Sequence, residues 1–236
     1  MQFDRVLEGN SAVTVLAGEA GIGKTALLKR VLRDLLKLNG VCVYGKFEQY
    51  KDKGPYIPVI QIIEQITNHM LTLPGEKLDR LVKKLNKELG KDSALITGIV
   101  PQTQRIMRGS GGIKDSDYQK LQRRLEKAFQ IFITIAAREL YPLVIAVDDI
   151  QWADAPSWNI IKAASDPLNE HDLYIVLACR NNLEKYRDKV KLMLAELYGK
   201  KQRRRGRLHH AGKGRLLGGF GSLSDMVIEY IQKNFQ

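Results

Sequence analysis

The stretch that most restricts what this chain can fold into runs from residue 12 to residue 38, AVTVLAGEAGIGKTALLKRVLRDLLKL. An apolar, strand-like run (12–18) enters a glycine-rich turn, and Leu27, Leu28, Val31, Leu35 and Leu38 then recur at helical spacing. The turn GEAGIGKT, residues 18–25, fits G-x-x-x-x-G-K-[ST], which average composition produces in a chain of this length only about 1% of the time. Here it also lies between a strand and a helix, the context its chemistry requires. Gly18, Gly21 and Gly23 remove side chains so that backbone N–H groups can curl around phosphate oxygens. The helix beginning near Lys24 points its positive end at the same anion. Lys24 is expected between the β- and γ-phosphates, and the Thr25 hydroxyl on magnesium. Gly18, Glu19, Ala20, Gly21, Ile22, Gly23, Lys24 and Thr25 are therefore the expected ATP- or ADP-binding residues.

Residues 147–154, VDDIQWAD, end another apolar run on two adjacent carboxylates. Unpaired charge at a buried strand end is costly, so these acids need a cation. Asp148, closing the strand, is expected to hold magnesium beside Thr25, directly or through water. Asp149 points elsewhere and can orient or deprotonate an attacking water. P-loop kinases need no water-activating acid at this point, so the pair favours NTP hydrolysis. Asp154, before APSWNIIKAA with its early Pro156, reads as a helix N-cap. Trp152 reads as packing against strand ends, and Arg180, ending the apolar run DLYIVLAC, as a γ-phosphate sensor.

Between the strands at 12–18, 41–45, 143–147 and 172–179 lie segments of helical period, at 24–38, 58–71, 77–89, 121–140 and 156–165. Leu121, Leu125, Phe129, Phe132 and Ile133 share one face of 121–140. A weaker apolar piece occupies 94–100, and RGSGGIKDSD (108–117) is expected to be flexible. Strands alternating with helices predict an α/β fold with a parallel sheet covered on both faces. The expected organisation is an ATPase core at 1–198, with a helical insertion at about 50–140, then a basic, glycine-rich stretch and a C-terminal helix over 199–236.

The net charge of +12 is concentrated: residues 181–215 hold twelve Lys/Arg against three Asp/Glu, which is +9 and leaves +3 elsewhere. That segment includes KKQRRRGRLHHAGKGR, which has no aromatic residue on which a base could stack, so nucleic acid is not expected as a partner. No apolar run is long enough for a bilayer and no signal-peptide core opens the chain, so the expected compartment is cytoplasm with no membrane partner. Cys42 and Cys179 each sit in an apolar run and read as small buried hydrophobes, a disulfide being the alternative.

Four motifs in order, GEAGIGKT, GKFEQ (45–49) followed by PYIPVIQII, VIAVDDIQWAD and YIVLACRNN, resemble one family. They are similar to the AAA-type ATPase modules of the STAND class of signal-transduction ATPases. The nearest likeness is to the module in bacterial multidomain Ser/Thr kinase/histidine kinase hybrids and near adenylyl cyclases. The resemblance covers about residues 10–198. It implies a P-loop NTPase sheet in the order 5-1-4-3-2 and a regulatory ATPase that switches between ADP- and ATP-bound states. Kinase, cyclase or other signalling domains of a larger protein are the implied partners, with self-association. It also implies that Lys24 and Thr25 bind phosphate and magnesium, that Asp148 and Asp149 are the acidic pair, and that Arg180 is the sensor. The family's Gly-Arg-Glu segment before the first strand does not occur in the ten or so residues present here, and the likeness fades beyond Tyr198. A fragment of a larger protein is the expectation. Two alternatives stand beside the ATPase switch: a nucleotide-binding scaffold without turnover, and an ATP-dependent DNA-binding factor favoured only by the basic segment.

Overall fold

Four strands run parallel in one sheet: β1 (Ala12–Gly18), β2 (Val41–Lys46), β3 (Leu143–Asp148) and β4 (Leu173–Arg180). The computed structural model describes residues 12–37, 40–49, 54–107, 109, 117–140, 142–165, 173–180, 188–193, 195 and 196. Their order across the sheet is β1-β4-β3-β2. This differs from the expected 5-1-4-3-2 by having no fifth strand among the described residues. The basic stretch and C-terminal helix expected over 199–236 lie outside them, as does 108–117 apart from Gly109 and Asp117.

Helix α1 (Lys24–Leu36) joins β1 to β2, and α6 (Ala155–Ala164) lies between β3 and β4. Between β2 and β3 come α2 (Ile57–Leu71), α3 (Gly75–Leu89), α4 (Ser93–Ile99) and α5 (Tyr118–Glu139). Alternation along the strands sorts the core into two faces. Leu16, Val144, Ala146, Val176 and Ala178 pack on Leu28, Leu32 and Leu35 of α1. Val15, Val43, Ile145, Val147, Ile175 and Leu177 face the opposite way, in one apolar cluster with residues of α2 to α6. Every residue of β3 is buried, as expected of an inner parallel strand with both faces covered.

The buried stripe of α1 is Leu28, Leu32 and Leu35, whereas Leu27 and Val31 flank it half-buried. The expected face was thus rotated by part of a turn, because the sheet takes the i, i+4, i+7 row. In α5 the expected Leu125, Phe129, Phe132 and Ile133 are buried, and Ala128, Ile135, Ala136 and Ala137 join them. Leu121 is only partly buried against the core.

β2 lies at a sheet edge, and α2 closes that edge with side-chain amides. Gln65 Oε1 accepts from Tyr44 N at 3.0 Å, Gln65 Nε2 donates to Tyr44 O at 2.6 Å, and Gln61 Oε1 accepts from Lys46 N at 2.9 Å. So close an approach needs Gly45, where a Cβ would stand 2.7 Å from the Pro58 carbonyl oxygen. Asp154 caps α6 as expected: its carboxylate accepts from Ser157 N and Ser157 Oγ, both at 2.8 Å. No helix among the described residues is long and apolar enough to cross a membrane.

Candidate functional site

Because all four strands are parallel, their C-terminal ends share one end of the sheet, the end at which ligands bind in open α/β sheets. Register sets Gly18 beside Arg180 and Lys46 beside Asp148. From Gly18 the chain turns through Glu19, Ala20, Gly21, Ile22 and Gly23, all five exposed, into α1. Gly21 and Gly23 have φ of 81° and 95°, a left-handed backbone that favours glycine. No side chain caps the start of α1 and its first turn carries no acid, so the first N–H groups of α1 are left for an anion. Lys24 folds back over the turn, its Nζ donating to the carbonyls of Gly18 at 3.0 Å and Glu19 at 2.6 Å. Burial holds the Lys24 ammonium below the usual lysine range; Arg180 pushes the same way, while Cys179, Asp149 and Asp148 oppose it.

The two acids diverge. Asp148 is 1% exposed, and its charge is met by donors from three elements. Oδ2 accepts from Thr25 Oγ1 at 2.7 Å and Tyr44 OH at 3.1 Å, and Oδ1 accepts from Asp149 N at 2.8 Å. Burial first, and the Asp148 carboxylate second, push the Tyr44 phenol up, so it stays protonated as a donor. Asp149 has a left-handed φ of 55°, which turns its side chain away from Asp148. Its Oδ2 lies 3.2 Å from Lys46 Nζ, and its Oδ1 accepts from Gln151 Nε2 at 2.8 Å with Arg180 Nε 3.8 Å away.

A glycine turn on a helix N-terminus beside a Thr–Asp pair is accompanied by a family match: residues 2–177 correspond to the AAA ATPase domain. The chain belongs to that family. It is also 31% identical over 159 residues to the Hybrid signal transduction histidine kinase G of Dictyostelium discoideum. That alignment takes in 67% of this chain and 4% of the relative, so the chain spans a small part of that protein's length.

Membership of the AAA ATPase domain family implies nucleotide binding, usually with magnesium. The residues present fit both groups. A Cβ at Gly18 would meet only the exposed Ile22 side chain, at 3.1 Å, so the glycines the turn requires are Gly21 and Gly23, whose left-handed backbone leaves N–H groups open to an anion. Thr25 and Asp148 offer only hard oxygens, and magnesium typically takes one or two protein oxygens and completes its shell with phosphate and water. Among the described residues no three His, Cys, Asp or Glu cluster as a metal cage.

The expected residues of this AAA ATPase domain, Gly18 to Thr25, Asp148, Asp149 and Arg180, all converge on one end of the sheet. Sequence reasoning passed over three others. Tyr44 donates to Asp148, Lys46 pairs with Asp149, and Gln151 bridges Asp149 to the backbone of Arg180. A lysine directly after the strand VCVYG was the available signal for Lys46. Trp152 packs half-buried against the core, and Cys42 and Cys179 are free thiols.

Proposed function

We propose that this chain is an ATP-binding regulatory module of a signalling protein, of the STAND class, that hydrolyses ATP slowly with magnesium as a conformational switch. The observation that supports it best is the hydrogen bond from Thr25, in the first turn of α1, to Asp148, beside a separately oriented Asp149. Gly18 to Gly23 and Lys24 bind the phosphates, and Thr25 and Asp148 hold magnesium, which withdraws charge from the phosphate oxygens. Asp149 orients a water and takes its proton as the water oxygen bonds to the γ-phosphorus and the bridge to ADP breaks. Arg180 senses the γ-phosphate from the end of β4. The core spans 1–198 with α2 to α5 as a helical insertion, and 199–236 is an appendage. Kinase, cyclase or other signalling domains of a larger cytoplasmic protein receive the switch.

One observation favours a second reading, a scaffold that binds nucleotide without turning it over. Lys46 and Arg180 both neutralise Asp149, and a water must compete with them. Calorimetry and single-turnover hydrolysis decide between the two. Wild type binds magnesium-ATP and hydrolyses it below about 1 s⁻¹; Lys24→Ala loses binding, whereas Asp149→Asn keeps binding and loses hydrolysis. Equal affinity in wild type and Lys24→Ala removes the basis of both readings. Binding without any hydrolysis leaves the scaffold.

A further inference from the structure

Gln151 sits in the one-turn helix Ile150–Trp152 that follows Asp149, and it is fully buried at 0% exposure. A buried primary amide is costly unless both its ends are bonded. Here they are. Nε2 donates to Asp149 Oδ1 at 2.8 Å, and Oε1 accepts from the backbone N–H of Arg180 at 3.1 Å. The partners settle the orientation of the amide, since only the NH₂ can face a carboxylate and only the oxygen can face an N–H.

We propose that Gln151 is a positioning residue, whose amide holds the Asp149 carboxylate by one oxygen and ties it to the end of β4 at Arg180. This rests on the hydrolytic reading of Asp149 above. Asp149 otherwise hangs from a left-handed residue in a turn, with only ion pairs to long, flexible cations. Lys46 reaches it from the end of β2 and Arg180 from the end of β4. Lys24 of α1, Asp148 and the Tyr44 phenol are its other charged or titratable neighbours. Of these contacts, the Gln151 amide alone is both buried and short enough to set a direction. An ionised carboxylate accepts about four hydrogen bonds, and Gln151, Lys46 and Arg180 together take at most three, which leaves a position for a water. The amide also makes the acid follow β4: a shift of Arg180 moves the group that Gln151 holds.

Neither methionine nor glutamate does both jobs. Methionine has the length but neither bond. Glutamate keeps an acceptor for Arg180 N but sets a carboxylate against Asp149. The double variant Asp149→Asn/Gln151→Glu exchanges donor and acceptor, so both bonds can form again while the proton-accepting acid is gone.

The test combines thermal unfolding without nucleotide or magnesium, calorimetry with magnesium-ATP, and single-turnover hydrolysis. Gln151→Met is expected to keep ATP affinity within about threefold and to slow hydrolysis by about 10–100-fold, the usual cost of a misplaced reacting group. Gln151→Glu lowers the Tm, and the double variant loses less Tm than the two single losses added together, by at least about 2 °C. The double variant regains the contact and not the hydrolysis. Should Gln151→Glu fail to fold while the double variant folds, the exchange is equally supported. Hydrolysis by Gln151→Met at the wild-type rate overturns the proposal, and so do additive Tm losses or a double variant that also fails to fold, even where wild type hydrolyses ATP. A wild type that never hydrolyses ATP overturns the hydrolytic reading and with it the kinetic role of Gln151, whatever the Tm cycle shows.

Discussion

At the scale of single residues, the energetics centre on one buried carboxylate. Asp148 is almost wholly removed from water, and a charge there is tolerable only while its donors are in place. Tyr44 is one of three, and its hydroxyl shares Oδ2 with Thr25. Hydrogen bonds to charged groups are worth about 1.5–3 kcal/mol. Tyr44→Phe is therefore expected to lower stability by about that amount in urea denaturation without magnesium. An unchanged midpoint would mean that Thr25 and Asp149 N satisfy Asp148 between them. Asp148 and Asp149 show why neighbouring acids can differ in surroundings: one lies on the strand facing α1, and the other has left it through a left-handed turn.

At the scale of elements, the edge strand β2 decides where one cation of the site, Lys46, stands. Its exposed backbone groups would template pairing with another chain, and the amides of Gln61 and Gln65 occupy them instead. That arrangement depends on Gly45, because the Pro58 backbone leaves no room for a side chain. Gly45→Ala is expected to cost about 1–3 kcal/mol, as overpacking does, measured by chemical denaturation. It should also weaken the Lys46–Asp149 pair, since Lys46 is the next residue along. Wild-type stability in Gly45→Ala would show that α2 can move off the strand freely. The glycine was visible in the sequence as part of GKFEQ, but its reason was not, since Pro58 approaches only in the folded chain.

At the scale of the whole molecule, burial on both sheet faces sets the response to alkali. Burial pushes the Cys179 thiol from its ordinary 9.0 up to about 12, with the nearby Lys24 ammonium opposing, and burial does the same to Cys42. A raised pKa means that the native state disfavours the thiolate. Its stability contribution is complete below pH 9.0 and is lost as pH rises toward about 12, with a limiting slope of about 1.4 kcal/mol per pH unit for each thiol. Urea midpoints should fall across that window, and Cys179→Ala should fall less steeply. Parallel slopes for the two proteins would mean the thiol ionises as freely folded as unfolded. The basic stretch predicts the opposite kind of result, an effect close to nothing. Removing residues 199–215 deletes Lys200, Lys201, Arg203, Arg204, Arg205, Arg207, Lys213 and Arg215, all outside the site motifs. ATP affinity should then change by less than about threefold, or about 0.65 kcal/mol, in calorimetry. A larger loss would place a phosphate ligand in that stretch.

Much of the protein could be read without coordinates, because the signals are local. Short apolar runs placed all four strands to within about one residue of their observed ends, and helical spacing located α1, α2, α3, α5 and α6. Asp154 was legible as a cap from Pro156 and the apolar run after it. The glycine turn at 18–25 was legible because its motif sets glycines, Lys24 and Thr25 at fixed spacing. Tertiary structure alone decided which distant groups meet. Tyr44 is 104 residues from Asp148, and no period or spacing links them. Lys46 meets Asp149 because β2 and β3 pair in parallel with Lys46 opposite Asp148. Gln151 meets Arg180 because β4 lies between β3 and β1. A side chain's own preferences act over a few residues, whereas a parallel sheet brings together strand ends that the chain separates by whole crossovers.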